Sequence, residues 1–177
     1  IEPMKVLRIA ALAVVILPLV AAAQPAWLND GLVAYYPFDG DAKDYSGNGN
    51  DGLLYGPKTT EGRLGNDGGA LYFDGSNDYV SLTPSSIFKL PVHTISIWFK
   101  CGLFDTTLLS SEPWLKSDGF GLSVGSEGSI NYKIMRGSTQ SNFGGIYHTT
   151  NTGTGVFQLD EWHNVVATYN GVTKNIY

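Results

Sequence analysis

The chain has 177 residues, of which 43% are hydrophobic and 15% are charged, and its formal net charge is −5. The chain is long enough for a single domain with a sizeable core. The lack of a Lys/Arg cluster argues against nucleic acid as a partner, because phosphate backbones are bound through such side chains. The single cysteine, Cys101, has no partner for an internal disulfide. We interpret it as a buried, inert thiol and expect the fold to depend on its core.

The N-terminal segment has the pattern of an export signal. Residues 1–3 precede the first Met and are interpreted as upstream sequence; two basic residues, an apolar run over 9–20 and three alanines follow. The apolar run is shorter than the roughly 20 residues of a membrane span, which disfavours the alternative of a retained anchor. We therefore predict a signal peptide over residues 4–23 and a secreted or cell-surface mature chain, residues 24–177, without a membrane span.

Two loops carry an unusual density of carboxylate and amide side chains, the glycine-rich residues 40–52 and, downstream, residues 73–80. Calcium takes about 6–8 oxygen ligands, and glycines let a loop curl around the ion, so these loops predict a structural Ca²⁺ site. The spacing differs from an EF-hand because no Glu stands at the twelfth position. The alternative is turn formation, in which Asp and Asn bind their own backbone. The predicted ligands are Asp39, Asp44, Asn48, Asn50, Asp74 and Asp78.

Most of the remaining chain predicts β-strands. Apolar side chains alternate with other residues over 94–100, 120–125 and 130–135, the pattern of half-buried antiparallel strands. Many short strands at this spacing predict an all-β fold, a sandwich or jelly roll of antiparallel sheets. Shorter runs bounded by turn-forming residues add further strands at Gly31–Phe38, Ala70–Phe73, Tyr79–Leu82, Thr107–Ser110 and Trp162–Tyr169.

Two segments have weaker patterns. Pro84 to Leu90 has room for one short helical turn, and no helix of three turns is predicted anywhere. The stretch from Gly137 to Gly155 is rich in Ser, Thr, Asn and Gly, so it is either a long loop or a weakly patterned strand pair around Gly145 to Thr149.

A second group of residues is suited to bind a sugar, because flat aromatic rings cover the apolar faces of pyranoses and planar polar groups bind hydroxyls. Trp114 follows a proline in a non-periodic loop and is the best platform, although loop aromatics also cover the edges of cores. Trp98 and Trp162 lie in alternating strands, so we predict that they serve the core or its margin. The predicted ligand-binding residues are Trp114, Asn131, Tyr132, Arg136, Gln140, Asn142 and Tyr147.

Catalytic patterns are missing from the sequence. Retaining glycosidases need two carboxyl groups roughly 5–5.5 Å apart, which acidic residues two or four apart on a strand supply, and no two of the five Glu residues have this spacing. The three histidines have no metal-ligand spacing, and we interpret His163 as a hydrogen-bonded structural residue. We therefore predict no catalytic residue and no enzyme activity.

Five segments in one order identify a family. They are residues 31–40, 44–52, 70–80, 94–100 and 161–171, and together they resemble the laminin-G-like domain of the concanavalin A-like lectin/glucanase superfamily. The resemblance implies a jelly-roll sandwich of two curved antiparallel sheets, and often a structural Ca²⁺ in such loops. Catalytic members of the superfamily carry a Glu-x-Asp-x-x-Glu strand, which this sequence lacks.

The C-terminus departs from that family pattern. In the family, a segment like residues 162–171 leads into a strand, a tight turn and at least one more strand near the N-terminal one, whereas this sequence stops at Tyr177. We therefore expect a fold truncated at the C-terminus. The strand around Val33 to Tyr36 would then lack its neighbour, and the chain alone would be poorly soluble or oligomeric.

The sequence thus predicts a secreted, non-catalytic module that recognises carbohydrate, on its own or as an accessory domain of a larger carbohydrate-active enzyme. The alternative is an extracellular structural or protein-adhesion module. The expected partner is a glycan or an extracellular protein. Both roles occur on this fold, so the fold alone does not decide between them.

Overall fold

The structure is a computed structural model, and each of its two compact units is considered by itself. Only residues 30–32 of the first unit, Ile1–Leu32, are described, and every element below belongs to the second, Val33–Tyr177. Within the described residues, no helix has the length and apolar character needed to cross a membrane. The description covers residues 30–82, 90–111, 119–136 and 146–177, with backbone only at 135, 136 and 146–148.

The described residues form short β-strands, and their only helical element is a single 3₁₀ turn at Ser126–Gly128. The all-β prediction is therefore confirmed. The predicted signal peptide (residues 4–23) and the predicted turn between Pro84 and Leu90 fall almost wholly outside the described residues. The strands are β1 (Gly52–Tyr55), β2 (Lys58–Thr60), β3 (Ala70–Tyr72), β4 (Tyr79–Leu82), β5 (His93–Phe99), β6 (Thr107–Ser110), β7 (Gly119–Val124), β8 (Ile130–Arg136), β9 (Ile146–Asn151), β10 (His163–Tyr169) and β11 (Lys174–Ile176).

The strands pair into four antiparallel sheets. Two larger sheets have the orders β6-β7-β8-β9 and β11-β10-β5, and two ribbons pair β1 with β4 and β2 with β3. Only Gly56 and Pro57 separate β1 from β2, whereas residues 73–78 separate β3 from β4. The β2–β3 ribbon therefore lies within the connection between β1 and β4, and residues 73–78 form one of the two links between the ribbons.

Side chains from both larger sheets form one apolar core. In β7 every second residue is buried, at Phe120, Leu122 and Val124, as the alternation predicts. Burying apolar surface contributes roughly 25 cal/mol per Å², so these strands supply much of the stability of the fold. The core cluster consists of Phe99, Phe120, Leu122, Val124, Ile130, Tyr132, Ile134, Phe157, Val165 and Ala167.

The structure corrects the strand predictions at several positions. Residues 31–38 form no strand in the described chain, because the hydrogen bonds found there run to a polar loop and not to a neighbouring strand. Three short strands, β1, β2 and β11, lack a clear alternation and were not predicted. Residues 137–155 were interpreted either as a long loop or as a strand pair. Ile146–Asn151 form a strand that pairs with β8. Residues 137–145 lie outside the described residues.

Cys101 is half-buried, so the prediction of a buried thiol holds only in part. Burial raises the pKa of this thiol, and the negative charge of Asp160 adds to the shift. The raised pKa keeps the group protonated, in agreement with an inert residue.

Candidate functional site

The first polar loop, residues 41–51, is organised around Asp44, and we call it the clamp loop. Asp44 Oδ1 accepts the backbone N–H groups of Tyr35 and Ser46, both at 2.9 Å, and Oδ2 accepts that of Asn50 at 3.0 Å. Burial alone would raise the pKa of this carboxyl. The hydrogen bonds from Ser46, Tyr35 and Asn50 outweigh burial and lower the pKa to about 2. Asp44 is therefore an ionised acceptor that fixes the loop.

The clamp loop also holds the chain segment before it. The Val33 carbonyl accepts hydrogen bonds from Ser46 Oγ at 3.4 Å, Asn48 Nδ2 at 3.1 Å and Asn50 Nδ2 at 2.9 Å. In return, the Tyr36 hydroxyl donates to the Asn50 carbonyl at 2.5 Å. Asn48 and Asn50 therefore bind the backbone of a preceding segment, 15 and 17 positions earlier, and not their own turn as the turn-forming alternative predicts.

The pKa of the Tyr36 hydroxyl is strongly raised. Burial raises the pKa of its hydroxyl to about 12, and the carboxylates of Asp44 and Asp51 contribute in the same direction. Asp51 itself accepts the backbone N–H of Asp44 at 2.9 Å. The hydroxyl therefore stays a neutral donor at all physiological pH values.

The second polar loop, residues 73–78, is closed by its own carboxylates. Asp74 Oδ1 accepts the N–H of Ser76 at 2.8 Å, and Asp78 Oδ2 accepts that of Asp74 at 3.0 Å. The Asp78 carboxylate also lies where a Cβ on Gly56 would stand, and Gly56 has φ +89°. Only glycine fits there without displacing the carboxylate.

Backbone hydrogen bonds use several oxygens of the predicted calcium ligands. A carboxylate has about four acceptor positions, and three of those on Asp44 are occupied by backbone donors. Asp39 is exposed, and no three Asp, Glu, His or Cys side chains in the described residues are grouped to hold a metal. The hydrogen bonds favour turn formation in both loops, and calcium binding stays a prediction.

Two predicted sugar-binding residues lie within the larger sheet. Tyr132 belongs to the inward-facing set of β8 and is 0% exposed, so its ring packs in the core and offers no platform in this position. Its hydroxyl lies 2.6 Å from His93 Nε2, and burial raises its pKa. Asn131 Oδ1 accepts a hydrogen bond from Asn151 Nδ2, its partner in β9, at 2.7 Å.

The other predicted ligand-binding side chains are not part of the description. Trp114, Gln140 and Asn142 lie outside the described residues. Arg136 in β8 and Tyr147 in β9 are described by their backbone only. Their role stays a prediction.

An aromatic pair that sequence reasoning missed lies on the β1–β4 ribbon. Tyr55 and Tyr79 are directly opposite each other, with ring centroids 4.6 Å apart and an interplanar angle of 8°. They are 45% and 52% exposed, and Leu53, 55% exposed, lies two residues away on the same strand face. We call Tyr55 and Tyr79 the tyrosine pair. In the sequence, Tyr55 precedes a glycine and Tyr79 follows the loop of residues 73–78. Neither pattern predicts that the two rings stack, because their contact depends on the register of β1 and β4.

Trp98 is another exposed aromatic residue. Half of its surface is accessible to solvent, so the prediction that it serves the core or its margin is wrong. It alternates with Ile97 and Phe99, so it points to the outer face of β5. The Arg63 guanidinium carbon lies 4.5 Å from the ring centroid. Trp162, by contrast, is half-buried as predicted.

The histidines have structural partners. His163 Nε2 lies 2.9 Å from the Gln158 carbonyl, to which it donates, and its ring packs against Phe157 and Phe99. This agrees with the interpretation of His163 as a structural residue. His93 bonds both Tyr132 and the Leu90 carbonyl and lies within the sheet packing.

Comparison with known proteins gives one match. The family model of laminin G-like type that is described as the concanavalin A-like lectin/glucanases superfamily matches residues 74–177, more than half of the chain. The match includes β4 to β11, and with them the core cluster. No curated protein and no solved structure matches the chain.

Proposed function

The chain belongs to the laminin G-like part of the concanavalin A-like lectin/glucanase superfamily, and we propose that it is a secreted, non-catalytic module that binds carbohydrate. Domains of this type bind glycans or proteins, so a binding role in general follows from the family. Secretion is supported by the signal pattern of residues 4–23. The choice of carbohydrate is carried by one observation, the exposed tyrosine pair.

The tyrosine pair has the properties that a sugar platform requires. A pyranose presents apolar C–H groups, which pack well on aromatic faces. Because Tyr55 and Tyr79 already stack on each other, binding costs little side-chain entropy. Both rings are about half exposed, so a ligand reaches them without any rearrangement of the core.

Polar groups for sugar hydroxyls stand next to the pair in the chain. The second polar loop ends at Asp78, directly before Tyr79, and its hydrogen bonds hold it in one conformation. Asp74 and Asn77 are exposed on this loop. A carboxylate and an amide on a fixed loop are suitable acceptors and donors for hydroxyl groups.

The distribution of carboxylates supports a non-catalytic role. Glycosidases of the common type use two carboxyl groups on either side of the scissile bond. Not one of the strands in the described residues contains an Asp or a Glu. The described Glu residues lie in loops or in the 3₁₀ turn, at Glu61, Glu127 and Glu161.

The test is binding of the full chain to a glycan array of neutral oligosaccharides, with affinities then measured by titration calorimetry. We expect Tyr55→Ala and Tyr79→Ala each to weaken binding by roughly tenfold, because each removes one stacking surface. Tyr45→Ala is the matched control, since Tyr45 is 59% exposed but lies in the clamp loop. It should leave the affinity unchanged.

Two outcomes contradict the proposal. Equal binding by all three variants would remove the tyrosine pair from the site, and Trp114→Ala on the same array would then test the predicted group of Trp114, Arg136, Gln140, Asn142 and Tyr147. If the wild-type chain binds no glycan on the array, the proposal of carbohydrate binding is wrong. This result would favour the alternative of a structural or protein-adhesion module.

A further inference from the structure

We propose that Trp98, Arg63 and Asn164 form a second site, which binds a carboxylated sugar such as a hexuronic acid unit of a polysaccharide. We call it the Trp98 site. Trp98 and Asn164 lie on the outer face of β5 and β10, and Arg63 comes from the loop between β2 and β3. The inference rests on the proposed function as a glycan-binding module and adds the charge of the ligand.

The guanidinium of Arg63 is held over the Trp98 ring by a loop with its own backbone hydrogen bonds. Within the turn that follows β2, the Gly62 N–H donates to the Asn66 carbonyl at 2.9 Å, and the Gly69 N–H donates to the same carbonyl at 3.3 Å. The guanidinium carbon lies over the ring, 4.5 Å from its centroid, which is a cation–π contact. The guanidinium carries five N–H donors in a planar fork that matches a carboxylate.

The charge of Arg63 has no partner carboxylate in the described part of the chain. The one ion pair found there joins Lys43 and Asp41 at 4.0 Å. An exposed guanidinium that is positioned by its contact with the Trp98 ring suits an anion supplied by the ligand.

A carboxylate is the anion that fits best. Guanidinium binds carboxylates through two parallel hydrogen bonds in one plane, which gives direction as well as strength. Trp98 is 50% exposed, and the part of its ring that the guanidinium leaves uncovered can pack against C–H groups of the sugar that carries the carboxylate. A uronic acid combines these two groups in one ring.

Asn164 supplies a group for a hydroxyl. It is the register partner of Trp98 on β10, and its Nδ2 donates to Ser96 Oγ at 3.3 Å and to the Ile97 carbonyl at 3.1 Å. Because the amide nitrogen is engaged with β5, the exposed side chain is held with its Oδ1 as the acceptor for an external donor. Ring, guanidinium and amide oxygen together match a pyranose with one carboxylate.

The experiment compares one oligosaccharide in two charge states. The full chain is titrated with tetragalacturonate and with its fully methyl-esterified form, which has the same size and ring shape but no charge. We expect the acid to bind about tenfold or more tightly than the ester, as a charge-assisted bidentate contact requires. The difference should shrink as salt is raised, because exposed charges are screened.

Substitutions test whether Arg63 causes the difference in affinity between the acid and the ester. Arg63→Gln should bring the affinity for the acid down to that of the ester, and Arg63→Lys should recover only part of the difference, because an ammonium cannot form the planar double contact. Lys43→Gln removes one positive charge from the clamp loop and should leave the difference intact. Arg63 is exposed, so unchanged melting temperatures are expected for both of its variants.

The outcomes separate this inference from the proposed function. Equal affinity for acid and ester, or a preference that survives in Arg63→Gln, overturns the Trp98 site. Tighter binding of a sulfated oligosaccharide that has no carboxylate than of the uronate overturns the assignment to carboxylate. If neutral glycans still bind through the tyrosine pair in these cases, the proposed function stands; if the wild-type chain binds no glycan at all, both fall.

Discussion

The sandwich core and the clamp loop hold the backbone in place by different means. In the core, strands are joined by backbone ladders, and apolar side chains such as Leu122 and Val165 pack in one cluster. At the clamp loop, residues 33–36 have no strand partner in the described chain and are held by the side chains of Asp44 and Asn50. The position of the backbone therefore depends on packing in one region and on a few polar atoms in the other.

The largest effect is expected in the core. Leu122 is 0% exposed, and Leu122→Ala removes apolar contacts and leaves a cavity, at a cost of about 3–5 kcal/mol in the free energy of unfolding. Leu53→Ala is the matched control, because Leu53 is 55% exposed. Urea unfolding measures both. A loss below about 1 kcal/mol for Leu122→Ala would mean that the core cluster is not packed as described.

The clamp loop should respond to a single carboxylate. Asp44→Ala leaves three backbone N–H groups without their acceptor, and we expect a loss of about 1–3 kcal/mol, smaller than in the core because water reaches this loop. Asp41→Ala is the control, since Asp41 accepts only the Lys43 N–H and forms one exposed ion pair. Equal losses for the two variants would contradict the central role of Asp44.

The pH dependence tests the same carboxylate. Its pKa is lowered from 3.8 to about 2 in the folded chain, so its contribution to stability is complete above about pH 4 and is lost as the pH falls towards 2. The melting temperature of the wild-type chain should fall over this window, and that of Asp44→Asn should fall less. Parallel curves for the two proteins would assign the acid sensitivity to other carboxyl groups.

The smallest effect is expected from calcium. Because the Asp44 oxygens already accept backbone hydrogen bonds, melting in about 1 mM calcium and in a chelator should give the same midpoint. An ion bound to the folded state alone would raise the midpoint with its concentration. A rise of several degrees in calcium would establish an ion site in the polar loops beside the turn hydrogen bonds.

Much of the fold could be predicted because period-two alternation follows directly from strand geometry. The same alternation identified the buried residues of β7 and β8, and it also placed Tyr132 inward and Trp98 outward, against their predicted roles. Those two errors came from judging aromatic residues by type and not by strand phase. The prediction of a strand over residues 31–38 was wrong for another reason. A strand needs a partner strand, and the β-propensity of a segment does not supply one.

The candidate sites were less predictable, because they depend on which distant residues become neighbours. Tyr55 and Tyr79 stack only in the register that β1 and β4 adopt, and Arg63 reaches Trp98 from a loop 35 positions earlier in the sequence. No local pattern encodes either contact. The polar loops were easier to recognise, but carboxylates that bind calcium and carboxylates that close turns have the same composition.

The hydrogen bonds that hold residues 33–36 span at most 17 positions and use no residue beyond Asn50. The side-chain contact from Asn164 to Ile97, in contrast, joins residues 67 positions apart. Closing a short loop sacrifices less chain entropy than closing a long one. The hydrogen bonds that hold residues 33–36 can thus form as soon as Asn50 has left the ribosome, long before β10 has been synthesised.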